Sequence, residues 1–450
     1  MGLPVAVVVA EHPRVGSALN SDVRGGLVCL SLLVALGSCG NAKSVLSASD
    51  AGSVPQDTAS GTDLLDPVTD SAPEAHSEVM PAGCPVPPAA RPVGTPTWGT
   101  VSALKNPQSW YATPVAAYVA EGVLSYQNAN GGWPKNIDMT YVFGIDPSAA
   151  PKSAKSMIDN DATTTQIRFL ANMLGAWPAC QRFAASFDAG MKFLFDAQYP
   201  GNGGWPQVWP IEPADYSRYI TYNDSAMVHV MQVMREIAYD VPQFKFVSDD
   251  TRTKATAALN KGVGCMLKTQ ILVNGKRTGW CAQHDEVTLL PAKARAYELP
   301  SQSGSEGPQV LAFLMTLDLS RADVPKQDIV DAVEAAVQFY DAVKISGIRY
   351  VQGASDAGAA DSWIEAHPTA APLWARFYDL EPPFKPIFCD RDGIKVYSLA
   401  EVGLERRGGY TWYVMSPGAI LNGSYPAWVN KWMIGRNVLS AAAGADAGTD

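Results

Sequence analysis

A charged stretch between two helix-like segments carries the densest group of side chains that could do chemistry. It spans residues 279–308 and reads GWCAQHDEVTLLPAKARAYELPSQSGSEGP. Within fifteen residues it contains acidic, basic and phenolic groups, namely His284, Asp285, Glu286, Lys293, Arg295, Tyr297 and Glu298. A short charged cluster is more often a solvated loop than a site, so the rest of the chain must decide between the two.

Two other polar segments supply acidic and amide oxygens. Residues 158–164 read IDNDATT and residues 220–226 read ITYNDSA, each at the start of a helix-like stripe. A side chain there commonly caps the helix, but capping needs only one oxygen atom. Asp159, Asn160 and Asp224 supply more, and carboxylate and amide oxygens are the ligands that Ca²⁺ takes. The segments are candidate cation ligands, although the twelve-residue EF-hand pattern is absent.

Basic residues in the C-terminal half could bind carboxylates, and aromatic residues along the chain could contact sugar rings. Arg376 in LWARFYD and Arg391 in CDRD are suited to holding carboxylates through two parallel hydrogen bonds. Flat apolar faces for sugar stacking could come from Tyr297 and from tryptophans that, taken singly, are more often in the core, namely Trp133, Trp205, Trp280, Trp374 and Trp412.

Several function classes are disfavoured by the sequence. No GxSxG elbow, HExxH helix or phosphate loop stands out, which argues against serine hydrolases, zinc proteases and nucleotide-binding enzymes. The net charge of −10 argues against nucleic acid as a partner. Glycoside hydrolysis by two carboxylates stays open.

Three internal repeats organise the folded part. Each runs from a glutamine through an Asn/Gly-rich turn to Gly-Trp, and the tryptophans lie 72 and 75 residues apart at Trp133, Trp205 and Trp280. Apolar stripes of helical period precede and follow each turn. We therefore predict an all-α chain of three helical hairpins, an (α/α)3 toroid with a few short late strands, in which the three turns share one face and gather the polar segments.

The N-terminal region indicates export. Residues 27–36 form an apolar run of the length of a signal h-region, too short to span a bilayer, and Leu36 to Cys39 resembles a bacterial lipobox. We predict a signal region over residues 1–39, with a possible true start near Val23, a disordered linker over 40–96, a catalytic domain over 97–440 and a disordered tail over 441–450. The expected product is an exported lipoprotein, monomeric and membrane-bound only through its lipid, at the cell surface or the periplasmic face of the outer membrane.

The five cysteines beyond the signal region show no CxxC spacing that would indicate a zinc or redox site. They are Cys84, Cys180, Cys265, Cys281 and Cys389. An exported context permits a disulfide, but the sequence does not assign the pair.

The motif phrases occur in the order found in the pectate lyases of polysaccharide lyase family 10, which the chain resembles from about residue 96 to 439. The phrases are NGGWPKNID, IDNDATTTQIRFL, NGGWPQVWP, ITYNDSAMV, RTGWCAQHDEVTLLPAKARAYELPSQSGSEG, LWARFYDL with PIFCDRDGIKVYS, and ERRGGYTWY. The resemblance implies the (α/α)3 toroid, Ca²⁺ dependence, and cleavage of α-1,4-polygalacturonate, the pectate chain, by anti β-elimination to 4,5-unsaturated oligogalacturonides.

The resemblance also implies roles for single residues. Arg295 matches the catalytic base and Asp224 matches a Ca²⁺ ligand. Asp159 and Asn160 match groups that help to hold metal and substrate, and Asp159 is counted with the metal ligands. Substrate carboxylates would be bound by Arg376 and Arg391, whose relative placing is less certain because the segment between them is about one residue longer than expected. Lys293 and Tyr297 complete the predicted substrate-binding set.

The chemistry leaves the base and the reaction class open. Elimination removes the C5 proton beside a carboxylate, which becomes acidic when that carboxylate is neutralised. An arginine has a reference pKa of about 12.5 to 13.8, so Arg295 needs a perturbed setting, and Lys293 is the alternative base. The alternative functions are an inverting glycoside hydrolase acting on uronides and a non-catalytic pectin-binding lipoprotein.

Overall fold

A computed structural model describes residues 83–321 and 323–439. This described part contains eleven α-helices, of which α2 to α8 form the main body. They are α1 (Trp98–Val101), α2 (Pro114–Tyr126), α3 (Thr164–Ala176), α4 (Gln181–Ala197), α5 (Ala226–Ala238), α6 (Asp249–Thr269), α7 (Glu306–Met315), α8 (Lys326–Ala342), α9 (Leu404–Gly408), α10 (Ser416–Ala419) and α11 (Tyr425–Trp432). One-turn 3₁₀ segments over Asp159–Asp161 and Asn223–Ser225 precede α3 and α5.

Short antiparallel strand pairs connect the helices. The strands are β1 (Ser156–Met157), β2 (Val208–Trp209), β3 (Ile220–Thr221), β4 (Leu272–Val273), β5 (Lys276–Arg277), β6 (Gln283–His284), β7 (Gln302–Ser303), β8 (Ile348–Ala354), β9 (Ala360–Ala366), β10 (Trp374–Ala375), β11 (Phe377–Tyr378), β12 (Phe388–Cys389), β13 (Lys395–Val396) and β14 (Tyr413–Val414). The pairs are β1 with β2, β3 with β6, β4 with β5, β7 with β11, β8 with β9, β10 with β14, and β12 with β13. Strands were expected only late in the chain, but two-residue strands begin at Ser156, because such short ladders leave no alternating pattern to read.

The Gly-Trp tryptophans hold each hairpin together from inside. All three rings are fully buried, and each indole N–H donates to a carbonyl of the preceding helix. The bonds join Trp133 to Val123 at 2.7 Å, Trp205 to Leu194 at 2.7 Å and Trp280 to Met266 at 2.8 Å. Trp374 and Trp412 are buried as well. These five rings therefore belong to the core, and a role for them as sugar-stacking faces is wrong.

The glutamine that opens each turn ties one hairpin to the next. Nε2 of Gln127 donates to the carbonyl of Gly131 in its own turn at 2.8 Å and to that of Ser186 in α4 at 2.9 Å. The other turns repeat both bonds, with Gln198 to Gly203 and Ala258 in α6, and Gln270 to Thr278 and Ala332 in α8. Helices α2, α4, α6 and α8 thus form one layer, and in the second layer α5 contacts both α3 and α7. The predicted (α/α)3 toroid is confirmed.

The folded part begins earlier than the sequence predicted. Cys84 forms a disulfide with Cys180, and Arg91 donates from Nε to the carbonyl of Thr140 at 3.1 Å. Residues 83–96 were assigned to the linker over 40–96, and that boundary is wrong because composition cannot reveal one covalent cross-link. The predicted signal region, the lipobox with Cys39, the remaining linker and the tail over 441–450 lie outside the described residues.

The other cysteines of the described part, Cys265, Cys281 and Cys389, are free and buried. Within residues 83–321 and 323–439, no helix has the length and apolar character needed to cross a membrane.

The second turn offers a matched pair of glycines that tests this packing. Gly203 has a φ of +83°, and a Cβ there would lie 2.3 Å from the carbonyl oxygen of Lys261 in α6, whereas nothing lies within 4 Å of the corresponding position at Gly201. Gly203→Ala should lower the free energy of unfolding by about 2 to 4 kcal/mol through strain and overpacking. Gly201→Ala should change it by less than about 0.5 kcal/mol. Urea unfolding followed by circular dichroism checks both, and equal effects would contradict the close approach.

Candidate active site

Backbone hydrogen bonds define one equivalent position in the three repeats. The backbone carbonyl of each Gly-Trp tryptophan accepts a hydrogen bond from the backbone N–H of a residue in a later short strand. Met157 donates to Trp133, Thr221 to Trp205 and Ser303 to Trp280. Three residues further along the chain stand Asn160, Asp224 and Glu306. These polar residues therefore stand at corresponding ends of α3, α5 and α7, and the segment that carries Asp224 contacts the segments that carry the other two.

The first two of these positions have an unusual backbone. Asn160 and Asp224 both have a φ of 49°, and the next residues, Asp161 and Ser225, have φ values of 62° and 60°. Left-handed conformations are uncommon outside glycine, and such strain concentrates at functional sites. No side chain caps α3 or α5, and Asp161 pairs with Nδ1 of His229. Helix capping, the alternative explanation for these acidic residues, is wrong.

Asp224 is a half-exposed carboxylate with both acidic and basic side chains nearby. Nδ2 of Asn223 donates to its Oδ2 at 2.8 Å, and Nη2 of Arg376 lies 4.0 Å from its Oδ1. Burial raises the pKa of Asp224, and Glu306 and Asp159 raise it further, against the lowering effects of Arg376 and Arg295. The charged form of Asp224 is therefore disfavoured, chiefly by burial, in spite of the two arginines.

Asp159 is already partnered. Its carboxylate is buried, forms an ion pair with Nζ of Lys135 and accepts a hydrogen bond from the backbone N–H of Asn160 at 3.1 Å. Nδ2 of Asn160 donates to Oδ1 of Asn136 at 3.0 Å, which leaves its own side-chain oxygen as a possible ligand atom. The assignments of Asp159 and Asn160 to metal and substrate stay predictions.

Arg376 is held by Glu306, the third of the equivalent repeat residues. Its Nη2 lies 2.5 Å from Oε1 of buried Glu306, and its guanidinium lies 4.6 Å from the ring centroid of Tyr410. Burial disfavours the charged form, but Glu306, Tyr410 and Asp224 outweigh it and raise the pKa of Arg376. Arg376 is thus a permanent positive charge beside Asp224.

Arg295 is held by a buried carboxylate of its own. Its Nε donates to Oε2 of Glu298 at 2.8 Å, and its Nη2 pairs with Oε1. Burial lowers the pKa of Arg295, but Glu298 more than compensates, so the pKa is raised overall. Arg295 also affects the pKa of Asp224, which puts it within electrostatic reach of that carboxylate. In this arrangement Arg295 is a guanidinium cation, the opposite of what a base requires.

The remaining predicted substrate residues lie beside Arg295. Tyr297 is buried, with the guanidinium of Arg406 4.3 Å and that of Arg295 4.9 Å from its ring centroid, so it supports the arginines rather than offering a free face. Arg391 is exposed and pairs with Glu405 at 3.0 Å. The Nζ of exposed Lys293 lies 3.3 Å from the place where a Cβ on Gly393 would stand, in the β12–β13 turn that also carries Arg391.

Comparison with known proteins identifies the family. The profile of the pectic acid lyase family matches residues 127–421. Among solved structures, a family 10 polysaccharide lyase from Cellvibrio cellulosa is 34% identical, with a TM-score of 0.60 over 72% of this chain and 94% of its own. An aspartate-to-alanine mutant of a Cellvibrio cellulosa family 10 lyase, in complex with trigalacturonic acid, is also 34% identical, with a TM-score of 0.59 over 72% of this chain and 95% of its own. Among curated protein sequences, none matches significantly.

This chain belongs to the pectate lyases of polysaccharide lyase family 10. The resemblance in its sequence motifs is confirmed, and so is its assignment as an enzyme that cleaves a polysaccharide by a lyase reaction. The individual roles of its site residues stay predictions.

The sequence missed several residues of the lyase site. Lys135, Glu306 and Tyr410 carry the ion pairs and hydrogen bonds that hold Asp159, Arg376 and Glu298. Glu306 had a usable signal, because counting along the repeats puts it in register with Asp224. Lys135 and Tyr410 had none, since each meets its partner only through tertiary contacts.

The first half of the charged stretch supports the loop. Oδ1 of Asp285 accepts hydrogen bonds from the backbone N–H groups of Val287 and Thr288, and Glu286 pairs with Arg218 at 2.9 Å. His284 is fully buried, accepts the N–H of Cys281 at Nε2 and lies 2.9 Å from the carbonyl oxygen of Leu289 at Nδ1. The two partners assign the neutral tautomer with the proton on Nδ1.

His284 makes the stability of the lyase pH-dependent. Burial lowers its pKa to about 4, whereas an unfolded histidine titrates near about 6.5. The unfolded chain therefore binds the proton first, and about 3 kcal/mol of stability should be lost as the pH falls from about 6.5 to about 4. Urea unfolding at several pH values measures the slope. His284→Gln should flatten this slope, and an equal slope in the variant and the wild-type protein would contradict the assignment.

Proposed function

We propose that this lyase is a Ca²⁺-dependent pectate lyase that cleaves α-1,4-polygalacturonate by anti β-elimination, with Arg295 as the base. The single observation that carries the proposal is the position of Asp224 at a repeat end, with Nη2 of Arg376 4.0 Å from its carboxylate and with Arg295 within electrostatic reach. The trigalacturonic acid in the Cellvibrio complex supports an oligogalacturonide substrate.

The donor groups fit a calcium ion that is shared with substrate. Within the described residues, no group of three or more His, Cys, Asp or Glu side chains could hold a metal by itself. Asp224 and the side-chain oxygen of Asn160 offer the hard oxygen ligands that Ca²⁺ takes, and a bound cation would stabilise the charged form of Asp224, which burial disfavours. Asp159 could join them only if Lys135 released its carboxylate. The remaining ligands would be substrate carboxylates and water.

The reaction needs three contributions at one sugar. When bound, Ca²⁺ supplies positive charge that makes the C5 proton of a galacturonate more acidic. Arg376 adds a fixed positive charge at the same place. A neutral nitrogen of Arg295 takes the C5 proton, the C5–H electrons form the C4–C5 double bond, the C4–O4 bond breaks, and O4 takes a proton from solvent. Because Glu298 keeps Arg295 charged, the neutral form should be reached mainly at alkaline pH.

Export as a lipid-anchored monomer is part of the proposal. It rests on the apolar run over residues 27–36 and on the lipobox that ends at Cys39, outside the described residues. The Cys84–Cys180 disulfide supports an exported setting, since such bonds persist in oxidising compartments.

Product analysis tests the reaction class. The purified protein is incubated with polygalacturonate and Ca²⁺, and ultraviolet absorbance of the unsaturated product is followed together with the number of reducing ends. We expect both to rise in step. New reducing ends without absorbance would assign the protein to the glycoside hydrolases, and binding without turnover would support a pectin-binding lipoprotein.

A further inference from the structure

We propose that Glu298 is a positioning residue that fixes the guanidinium of Arg295 for its reaction with substrate, and that Tyr410 sets how strongly Glu298 holds it. The inference rests on the proposed function, because it concerns Arg295 as the base.

Glu298 binds Arg295 at two points and leaves one nitrogen available. The side chain of Glu298 is 4% exposed and that of Arg295 is 42% exposed. The Glu298–Arg295 clamp therefore has a buried carboxylate, while its guanidinium reaches the solvent. Oε2 accepts from Nε at 2.8 Å and from the backbone N–H of Arg295 at 3.2 Å, while Oε1 accepts from Nη2. Two parallel bonds fix the plane of a guanidinium. Nη1 has no hydrogen-bond partner within the described part of the chain and is the nitrogen left to face substrate.

Tyr410 acts on the other side of the same carboxylate. Its hydroxyl donates to Oε1 of Glu298 at 3.0 Å, and the guanidinium of Arg376 lies 4.6 Å from the centroid of its partly buried ring. A hydrogen bond to a carboxylate stabilises its negative charge and so makes it a weaker partner for the proton of Arg295. Tyr410 therefore moderates the clamp and links it to the second site arginine.

The main influences on the pKa of Arg295 are burial and three neighbouring side chains. Burial lowers its pKa, whereas Glu298 raises it; Tyr297 and Tyr410 raise it only as ionised phenolates, and burial holds the pKa of Tyr410 well above its usual range, so Tyr410 acts as a neutral phenol. Tyr216 and Asp224 are the other titratable groups whose pKa values Arg295 affects. Glu298 is the one that contacts the guanidinium directly through hydrogen bonds, so it is the group whose change should have the largest effect.

Two substitutions should move the alkaline limb of the pH profile of kcat in opposite directions. Glu298→Gln removes the negative charge, so the limb should move at least about one pH unit lower, a tenfold change in the neutral fraction of Arg295 at a given pH. Tyr410→Phe keeps the ring but strengthens the hold of Glu298, so the limb should move higher. KM for trigalacturonate should change less than about threefold in both. Unshifted limbs with only lower melting temperatures would mean that Glu298 and Tyr410 are merely structural.

A spectroscopic signal decides the positioning even if the wild-type protein shows no lyase activity. In protein labelled with ¹⁵N-arginine, the Nε–H of Arg295, assigned by its loss in Arg295→Lys, should exchange slowly with water. Glu298→Gln should speed that exchange at least about tenfold, because the bond to Oε2 is weakened. Fast exchange in the wild-type protein would overturn the inference. Absence of unsaturated product together with a protected Nε–H would instead reject the proposed function and keep the clamp.

Discussion

Arg295→Ala should lower kcat on polygalacturonate by about 10²- to 10⁴-fold, the usual contribution of a positioned general base. Lys293→Ala should keep kcat within about threefold, because Lys293 is exposed and lies against the β12–β13 turn. The pair forms a matched comparison, since both substitutions remove one positive charge from the same loop. Product absorbance under saturating substrate and Ca²⁺ gives the rates.

A third variant, Arg295→Lys, distinguishes a base from a residue that only neutralises charge. Arg295→Lys keeps a positive charge but cannot make both bonds to Glu298, so it should remain as inactive as Arg295→Ala. Recovery of activity in Arg295→Lys would mean that the residue only neutralises charge. An inactive Lys293→Ala beside an active Arg295→Ala would reverse the assignment of the base.

Much of the fold could be predicted because the repeats are local and each carries its own signal. The Gly-Trp turns lie at fixed distances along the chain, and the helices around them have apolar faces that end up buried. Met227, Met231 and Met234 in α5, for example, are all fully buried. The tryptophans were harder to interpret, because a large flat ring serves equally well in a core and on a sugar-binding face. Burial decides between the two, and burial is a property of the folded chain.

The sequence identified several residues of the site but not the partners that hold them. Asp224 and Arg376 were identified by residue type and motif, and the structure brings them within 4.0 Å. Glu306 was missed as the partner of Arg376, although the two groups are 2.5 Å apart, because 70 residues separate them in the chain. Glu298 was named only as one of the charged residues of the stretch over residues 279–308, since nothing in the sequence shows that its carboxylate is buried against Arg295.

The position of Asp224 predicts a second large effect, on calcium. Asp224→Asn removes a half-exposed carboxylate that could bind the cation, so the Ca²⁺ concentration for half-maximal activity should rise about 10- to 100-fold. Asp161→Asn is the matched control, because it makes the same change at the residue after Asn160, the counterpart of Asp224 in the first repeat, in a carboxylate that pairs with His229. Activity against Ca²⁺ after chelator treatment, with calorimetry of Ca²⁺ binding in the presence of trigalacturonate, measures both.

Stability should move the other way in Asp224→Asn. A carboxylate whose pKa is raised in the folded protein is less favourable as the charged form there than in the unfolded chain, and above its folded pKa that cost is present at full size. Asparagine carries no charge and tolerates a φ of 49° well. The variant should therefore melt at or above the temperature of the wild-type protein in chelator while it loses calcium-dependent activity. A variant that melts earlier and keeps the wild-type calcium requirement would show that Asp224 maintains the fold and does not hold the metal.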